Sequence, residues 1–209
     1  MQDYFFTLAD ALQTRLQGGE TLLLSFDGED SDFIRFNQSR VRQAGSVTRR
    51  SLALDLIAAD RHAAGRAELA GRLEQDLPLL GYLLEGLRAQ RAHLPADPYL
   101  NIATDDTSSE TRVESELPER AAALDAIMEA SGALDLVGIY AAGAVHAGFA
   151  NSLGQRNWHA CESFNFDWSC FHAVSYTHLT LPTIPFECRS RWSGWHCDGG
   201  GGGGGGGGG

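Results

Sequence analysis

The chain contains no lysine; all 16 of its basic residues are arginine. That absence removes a Walker-type phosphate-gripping lysine, a Schiff-base lysine and a lysine general base from the available chemistry. Long apolar runs are missing too. None approaches the ~20 residues of a helical membrane span, and the N-terminus has no charged segment leading into an apolar one. A cytoplasmic location with no membrane partner is the expectation. Positive charge is scarce: 27 acidic residues against 16 basic give a formal net charge of -11, which opposes general binding to nucleic acid. None of the seven histidines is followed by glutamate, so the helical zincin motif, two His one turn apart with a Glu between, is absent. What remains, 43% hydrophobic and 21% charged over 209 residues, is the composition of a globular chain.

Composition changes abruptly after Ala173, and the chain ends in eleven consecutive glycines, Gly199 to Gly209. Val174 to Thr183, VSYTHLTLPT, resembles the translation of a transposase-type sequencing adapter, and Cys188 to Ser193, CRSRWS, resembles the far end of the same adapter, in the same order. Residues 174–209 are therefore expected to be adapter read-through and poly-glycine rather than native protein. Removing them takes away Cys188 and Cys197. Cys161 and Cys170 are left as reduced thiols, and the charge stays at -11 because Glu187, Asp198, Arg189 and Arg191 cancel.

In the remainder, Phe5, Leu8, Ala9, Leu12 and Leu16 recur at helical spacing, predicting a helix over 4–17 that Gly18-Gly19 stops. Glu20 to Phe26, ended by Asp27-Gly28, and Asp32 to Gln38 read as a hairpin. Leu52, Leu54 and Leu56 alternate along a strand from Ser51 to Ala59, and a further strand is expected near Ala63 to Leu69. Leu73, Leu77, Leu80, Leu84 and Leu87 form the stripe of a second helix, with Pro78 tolerable in its first turn. Residues 95–116 hold two prolines and six acids, the composition of a linker. A helix then carries Leu117, Ala121, Leu124 and Met128 and ends at Gly132. Strands follow at 134–141, 145–150 and 162–169, with a tight turn at Asn151-Ser152-Leu153-Gly154. The expected architecture is α+β: an antiparallel sheet with flanking helices in 1–94, an acidic linker in 95–116, and a truncated second α+β unit in 117–173.

The candidate chemistry is thin. Cys161, Cys170 and His172 are soft zinc ligands, but their spacing matches no common knuckle and a fourth ligand is missing. Phe164, Phe166 and Trp168 alternate along a strand, a pattern that stacks bases in RNA-binding sheets; without basic neighbours, core packing accounts for it better. Arg35, Arg40, Arg42, Arg49 and Arg50 form the densest positive region. They read either as a carboxylate-binding cluster or, more simply, as solvated strand faces paired with acids. Asp55 with Asp60, and Asp105 with Asp106, are carboxylate pairs only along the sequence. The motif GxGxxG occurs only inside the terminal glycines.

DFIRFNQSRVRQAGSV at Asp32 to Val47, followed by SLALDLI and later by FANSLGQRNW at Phe149 to Trp158, resembles the N-terminal part of the TldD/PmbA family. The motif positions are Arg35, Phe36, Gln43 and Gly45, then Asn151, Ser152 and Gly154, for which a structural role is expected before a binding one. The resemblance implies an N-terminal fragment of a longer, cytoplasmic, metallopeptidase-related protein that acts on peptides and pairs with a related subunit as a homo- or heterodimer. One subunit type carries zinc on a helical motif and the other lacks it. No catalytic or metal-binding residue of the family falls on any position here, so the fragment itself is expected to hold no cofactor and to be inactive alone. Zinc would belong to the full-length parent or its partner. The alternatives are a fragment of the non-catalytic, peptide-presenting subunit and a small free-standing binding domain.

Overall fold

A computed structural model describes residues 1–105, 107–113 and 115–171; the adapter-like segment 174–209 and His172 lie outside the described residues. The element order is α1 (Gln2–Gln13), β1 (Glu20–Asn37), β2 (Arg40–Ala58), β3 (Arg61–Glu68), α2 (Leu73–Arg91), β4 (Ser109–Val113), α3 (Arg120–Ser131), β5 (Asp135–Asn151) and β6 (Arg156–Phe171). The strands form one six-stranded sheet in the order β3-β2-β1-β5-β6-β4. All pairings are antiparallel except β4 with β6, which is parallel. The α+β class is as expected.

The strands are longer than the sequence pattern suggests. The two segments expected to form a hairpin around Asp27-Gly28 are one continuous strand, β1. A side chain at Gly28 would come within 3.0 Å of the Phe26 ring, so glycine here lets that ring lie along the strand and does not turn the chain. The turn comes at Gln38 and Ser39, both left-handed at φ 53° and 51°, between the paired residues Asn37 and Arg40. That two-residue geometry matches the twist of the flanking strands. Ser39 Oγ donates to the Leu134 carbonyl at 2.6 Å and accepts from the Leu136 N–H, tying the turn to the start of β5.

Likewise the segments 134–141 and 145–150 are one strand, β5. Its small residues are not breaks. A Cβ on Gly143 would sit 2.3 Å from the Asp30 carbonyl, so the glycine allows β5 to lie flush against β1. The acidic segment 95–116 contains the short parallel strand β4. Strands from either side of that segment share the sheet, with β1 and β5 paired from Leu23↔Asn151 to Phe36↔Gly138.

All three helices pack on one face. Even-numbered residues of β1 point there, and they meet two separate cores. At one end Leu22, Leu24 and Phe26, with Leu52, Leu54 and Leu56 of β2 and Trp158 of β6, pack against Phe5, Leu8 and Leu12 of α1 and Leu80, Leu84 and Leu87 of α2. Each such buried side chain contributes about 1.5–3 kcal/mol relative to exposure, so this layer dominates the stability. The rings of Phe5, Phe26 and Trp158 lie within about 6 Å of one another. At the other end Ile34, Phe36, Leu136 and Tyr140 pack against Ala123 and the α3 stripe. Glu20 closes the α2 side: both of its oxygens accept from Arg88 at 2.8 Å, which holds the carboxyl below the usual range despite the opposing effect of burial.

No helix among the described residues covers the opposite face. Its β2–β3 end is carpeted by polar contacts: the ion pairs of Arg66 with Asp27 and Arg49 with Glu68, and a hydrogen-bond contact between His62 and Asp55. The arginine-rich strand segment is therefore a solvated face, with Arg35, Arg40 and Arg42 exposed and Arg50 turned to the helix side against Asp30.

Candidate functional site

Between the two cores, the helix-covered face carries a polar band. The register places Gly28, Asp30 and Asp32 of β1 beside Arg50, Thr48 and Ser46 of β2 on one side and His146, Ala144 and Ala142 of β5 on the other. The strands bring these residues together from three distant stretches of sequence. Arg50 reaches Asp30 at 3.5 Å and donates from Nε to Met1 Sδ at 3.2 Å, so the start of α1 borders the band. Arg120, the first residue of α3, reaches Asp32 at 3.1 Å from the opposite border, and Ser46 donates to the same carboxylate. Both arginines are thus neutralised by carboxylates of the band.

Two polar atoms here are buried without a protein partner: Tyr140 Oη and His146 Nδ1. His146 stacks on Trp158 at 5.7 Å, and burial holds its imidazole below the ordinary range, opposed by the charge of Asp30. Burial raises the Tyr140 phenol, which keeps it a neutral donor. Next to Tyr140 lies a recess of about 180 Å³ lined by Asp32, Ile34, Pro118, Arg120 and Ala142. Its volume suits a few waters or one small polar group. The arrangement can accept a hydrogen-bonding guest. It does not bring a nucleophile into contact with a base.

The seven motif positions fall elsewhere and are not brought together into one site. Asn151 is buried; its Oδ1 accepts from the Leu153 and Gln155 N–H groups, an Asx turn that shapes the β5–β6 connection. Its carbonyl accepts from Gln13 Nε2 of α1, and Ser152 Oγ accepts from the Leu22 N–H. Gly154, at φ 108°, completes the turn. At the far end of β1, a one-residue bulge separates Arg35, paired with Gln43, from Phe36. Phe36 is buried edge-on to Phe166, and Gly45 lies beneath the Phe33 ring, where a Cβ would come within 2.9 Å. Arg35 and Gln43 are exposed. The sequence singles out Arg50 within its arginine cluster, but the band as a whole is not visible there because its members meet only through strand register.

Cys161 and Cys170 project from opposite faces of β6, since their positions differ in parity, and among the described residues no three His, Cys, Asp or Glu side chains converge. Of the aromatic alternation, Phe166 and Trp168 pack into the second core, whereas Phe164 is 60% exposed. No helix among the described residues is long and apolar enough to cross a membrane.

No family model and no curated protein matches the sequence. The fold does match solved structures. A Thermotoga maritima protein described as a candidate modulator of a DNA gyrase superposes with a TM-score of 0.55 at 12% identity, over 78% of this chain and 38% of that one. TldE from Thermococcus kodakarensis superposes with a TM-score of 0.51 at 9% identity, over 79% of this chain and 42% of that one. The chain therefore has the fold of the TldD/PmbA-type proteins and spans about two fifths of the length of these structures.

Proposed function

We propose that the chain is the N-terminal portion of a TldD/PmbA-type, metallopeptidase-related protein of the cytoplasm that handles peptides together with a related subunit. The observation that carries this reading is the superposition on TldE across 79% of the chain but only 42% of that structure. In this reading residues 1–94 and the start of a second unit from 117 form a scaffold, and 95–116 links them. The scaffold holds its own fold through the β1–β5 ladder, and chemistry, including any zinc, belongs to other parts of the parent or to its partner. The residues here agree with a supporting role: the motif positions Asn151, Ser152 and Gly154 clamp a turn onto α1 and β1, and the arginines of the polar band are committed to carboxylates. The -11 charge speaks against direct contact with DNA.

The experiment is recovery of the uninterrupted gene, followed by expression of its product with and without zinc and an assay of peptide hydrolysis. A downstream His-Glu-x-x-x-His on a helix, with zinc-dependent cleavage, supports the catalytic subunit. A downstream region of this fold without that motif, active only when mixed with a zinc-bearing relative, supports the pairing subunit. An open reading frame that stops near Ala173 overturns the proposal in favour of a free-standing domain.

A further inference from the structure

The recess beside Tyr140 lies where the start of α3 meets a floor formed by β1 and β5. Its walls carry one charge of each sign. Arg120 reaches Asp32 Oδ1 at 3.1 Å and Ser46 donates to the same oxygen, so among the described residues Asp32 Oδ2 is left without a donor. The side chains of Arg120 and Asp32 are 52% and 41% exposed, so a guest can reach both from solvent. The helix start adds further donors. Glu119 offers no side-chain cap and the first turn holds no acidic residue. The first intrahelical bond runs from the Ala123 N–H to the Glu119 carbonyl, which leaves the N–H groups of Arg120, Ala121 and Ala122 without an intrahelical acceptor at the positive end of the helix. Tyr140 is 4% exposed, and its Oη is buried without a protein partner, a state that native folds ordinarily relieve with a guest. The outer border is apolar: Phe164, opposite Ala142 in the β5–β6 register, is largely exposed, and its ring lies 6.0 Å from that of Tyr140.

We propose that this recess binds the α-ammonium carboxylate head of a free amino acid with an apolar side chain. Charge decides the class of guest. A simple anion would meet the Asp32 carboxylate, and a simple cation would meet the Arg120 guanidinium. A zwitterion instead extends the existing pair: its ammonium donates to Asp32 Oδ2, and its carboxylate accepts from Arg120 and from the open N–H groups of α3. Tyr140 Oη gains an acceptor in the same carboxylate. A recess of about 180 Å³ takes the charged head, and a side chain leaving it would lie over Phe164, withdrawing both apolar surfaces from water. A peptide terminus carries only one of the two charges, so this site is separate from the peptide handling proposed above, and failure of either reading leaves the other standing.

The test is calorimetric titration and saturation-transfer NMR of the purified full chain with L-leucine, set against N-acetyl-leucine, which lacks the ammonium, and leucinamide, which lacks the carboxylate. Saturable binding of leucine with a Kd of about 1 mM or below is expected, and each blocked form is expected to bind at least about tenfold more weakly. This comparison uses the unsubstituted chain and does not depend on the folding of any variant. Arg120→Gln and Asp32→Asn are each expected to weaken leucine binding by about tenfold or more. Tyr140→Phe deletes a hydroxyl that has no protein partner, so it is expected to weaken binding by about threefold without lowering the unfolding midpoint of the free chain. Arg49→Gln breaks an ion pair on the opposite face and is expected to bind leucine as the unsubstituted chain does. Absence of saturable binding up to about 20 mM leucine, equal binding of either blocked form, or undiminished binding by Arg120→Gln would overturn the proposal.

Discussion

Tyr4 of α1 donates its phenolic hydrogen to Asp76 Oδ2 in the first turn of α2 at 2.6 Å, joining the two helices that cover the larger core. Asp76 is 2% exposed, and its other oxygen accepts from the Ala70 N–H while Oδ2 also accepts from the Arg72 N–H. One carboxylate thus caps the start of α2 and anchors α1. Burial pushes the Asp76 carboxyl up, but the hydrogen bonds from Tyr4, Ala70 and Arg72 outweigh it, and the net shift is downward. The unfolded chain binds this proton at about pH 3.9, and the folded chain only at lower pH. The contribution is therefore complete above pH 4 and lost as pH falls through the folded value. Asp76→Ala is expected to cost about 2–4 kcal/mol at pH 7 because three donors are stranded, and less at pH 2. Urea unfolding at both pH values measures the difference.

His146 makes the opposite kind of demand. Burial keeps its imidazole neutral in the fold, with a pKa below the ordinary value, whereas the unfolded chain takes up the proton at about 6.5. The unfolded state then binds more protons just below that pH, so stability declines as pH drops from about 6.5 toward the folded value. His146→Phe retains a ring to stack on Trp158 and is expected to flatten the stability profile between about pH 5 and 7. An unchanged slope in thermal melts across that range would show that His146 does not carry the dependence.

The β1–β5 contact rests on a missing side chain. At Gly143 a Cβ would meet the backbone of β1, 2.3 Å from the Asp30 carbonyl oxygen and 2.5 Å from Ser31 Cα, and neither can swing away. Gly143→Ala is expected to destabilise by about 3 kcal/mol or more. Gly86, within α2, has open space around it, so Gly86→Ala is expected to stabilise by about 0.5–1 kcal/mol through helix propensity. Denaturant midpoints of the two variants should move in opposite directions.

Limited proteolysis probes the division at 95–116. Tyr99 is 90% exposed in a stretch without regular structure, and chymotrypsin is expected to cut there first. The two pieces should nevertheless co-elute, because the β1–β5 ladder crosses the cut. Separation of the pieces without denaturant would mean that the segments before and after the cut fold as independent units.

The alternation of Leu22, Leu24 and Phe26, and of Leu52, Leu54 and Leu56, made the central strands legible, as did the leucine stripe of α2. The strand lengths were not legible, because glycine and alanine signal breaks in sequence but serve close packing here: Gly28 under Phe26, Gly143 against β1, and Gly148 beneath Phe5. Strand β4 went unseen because all five of its residues are exposed and it carries no apolar alternation. Among motif positions, the Asn151 turn could be read directly from turn chemistry. The polar band could not, since Asp30, Arg50 and His146 meet only through the registers of three strands.

The central position of β1 also orders the chain's assembly in time. Its ladder with β2 is a hairpin and can close locally, whereas its ladder with β5 awaits residues made more than a hundred positions later. At roughly 5–20 residues per second, a ribosome would hold the open side of β1 exposed for several seconds before β5 emerges. The small residues of β5 that let it lie flush against β1 are therefore also what ends the interval in which the nascent chain is vulnerable to pairing with a stranger.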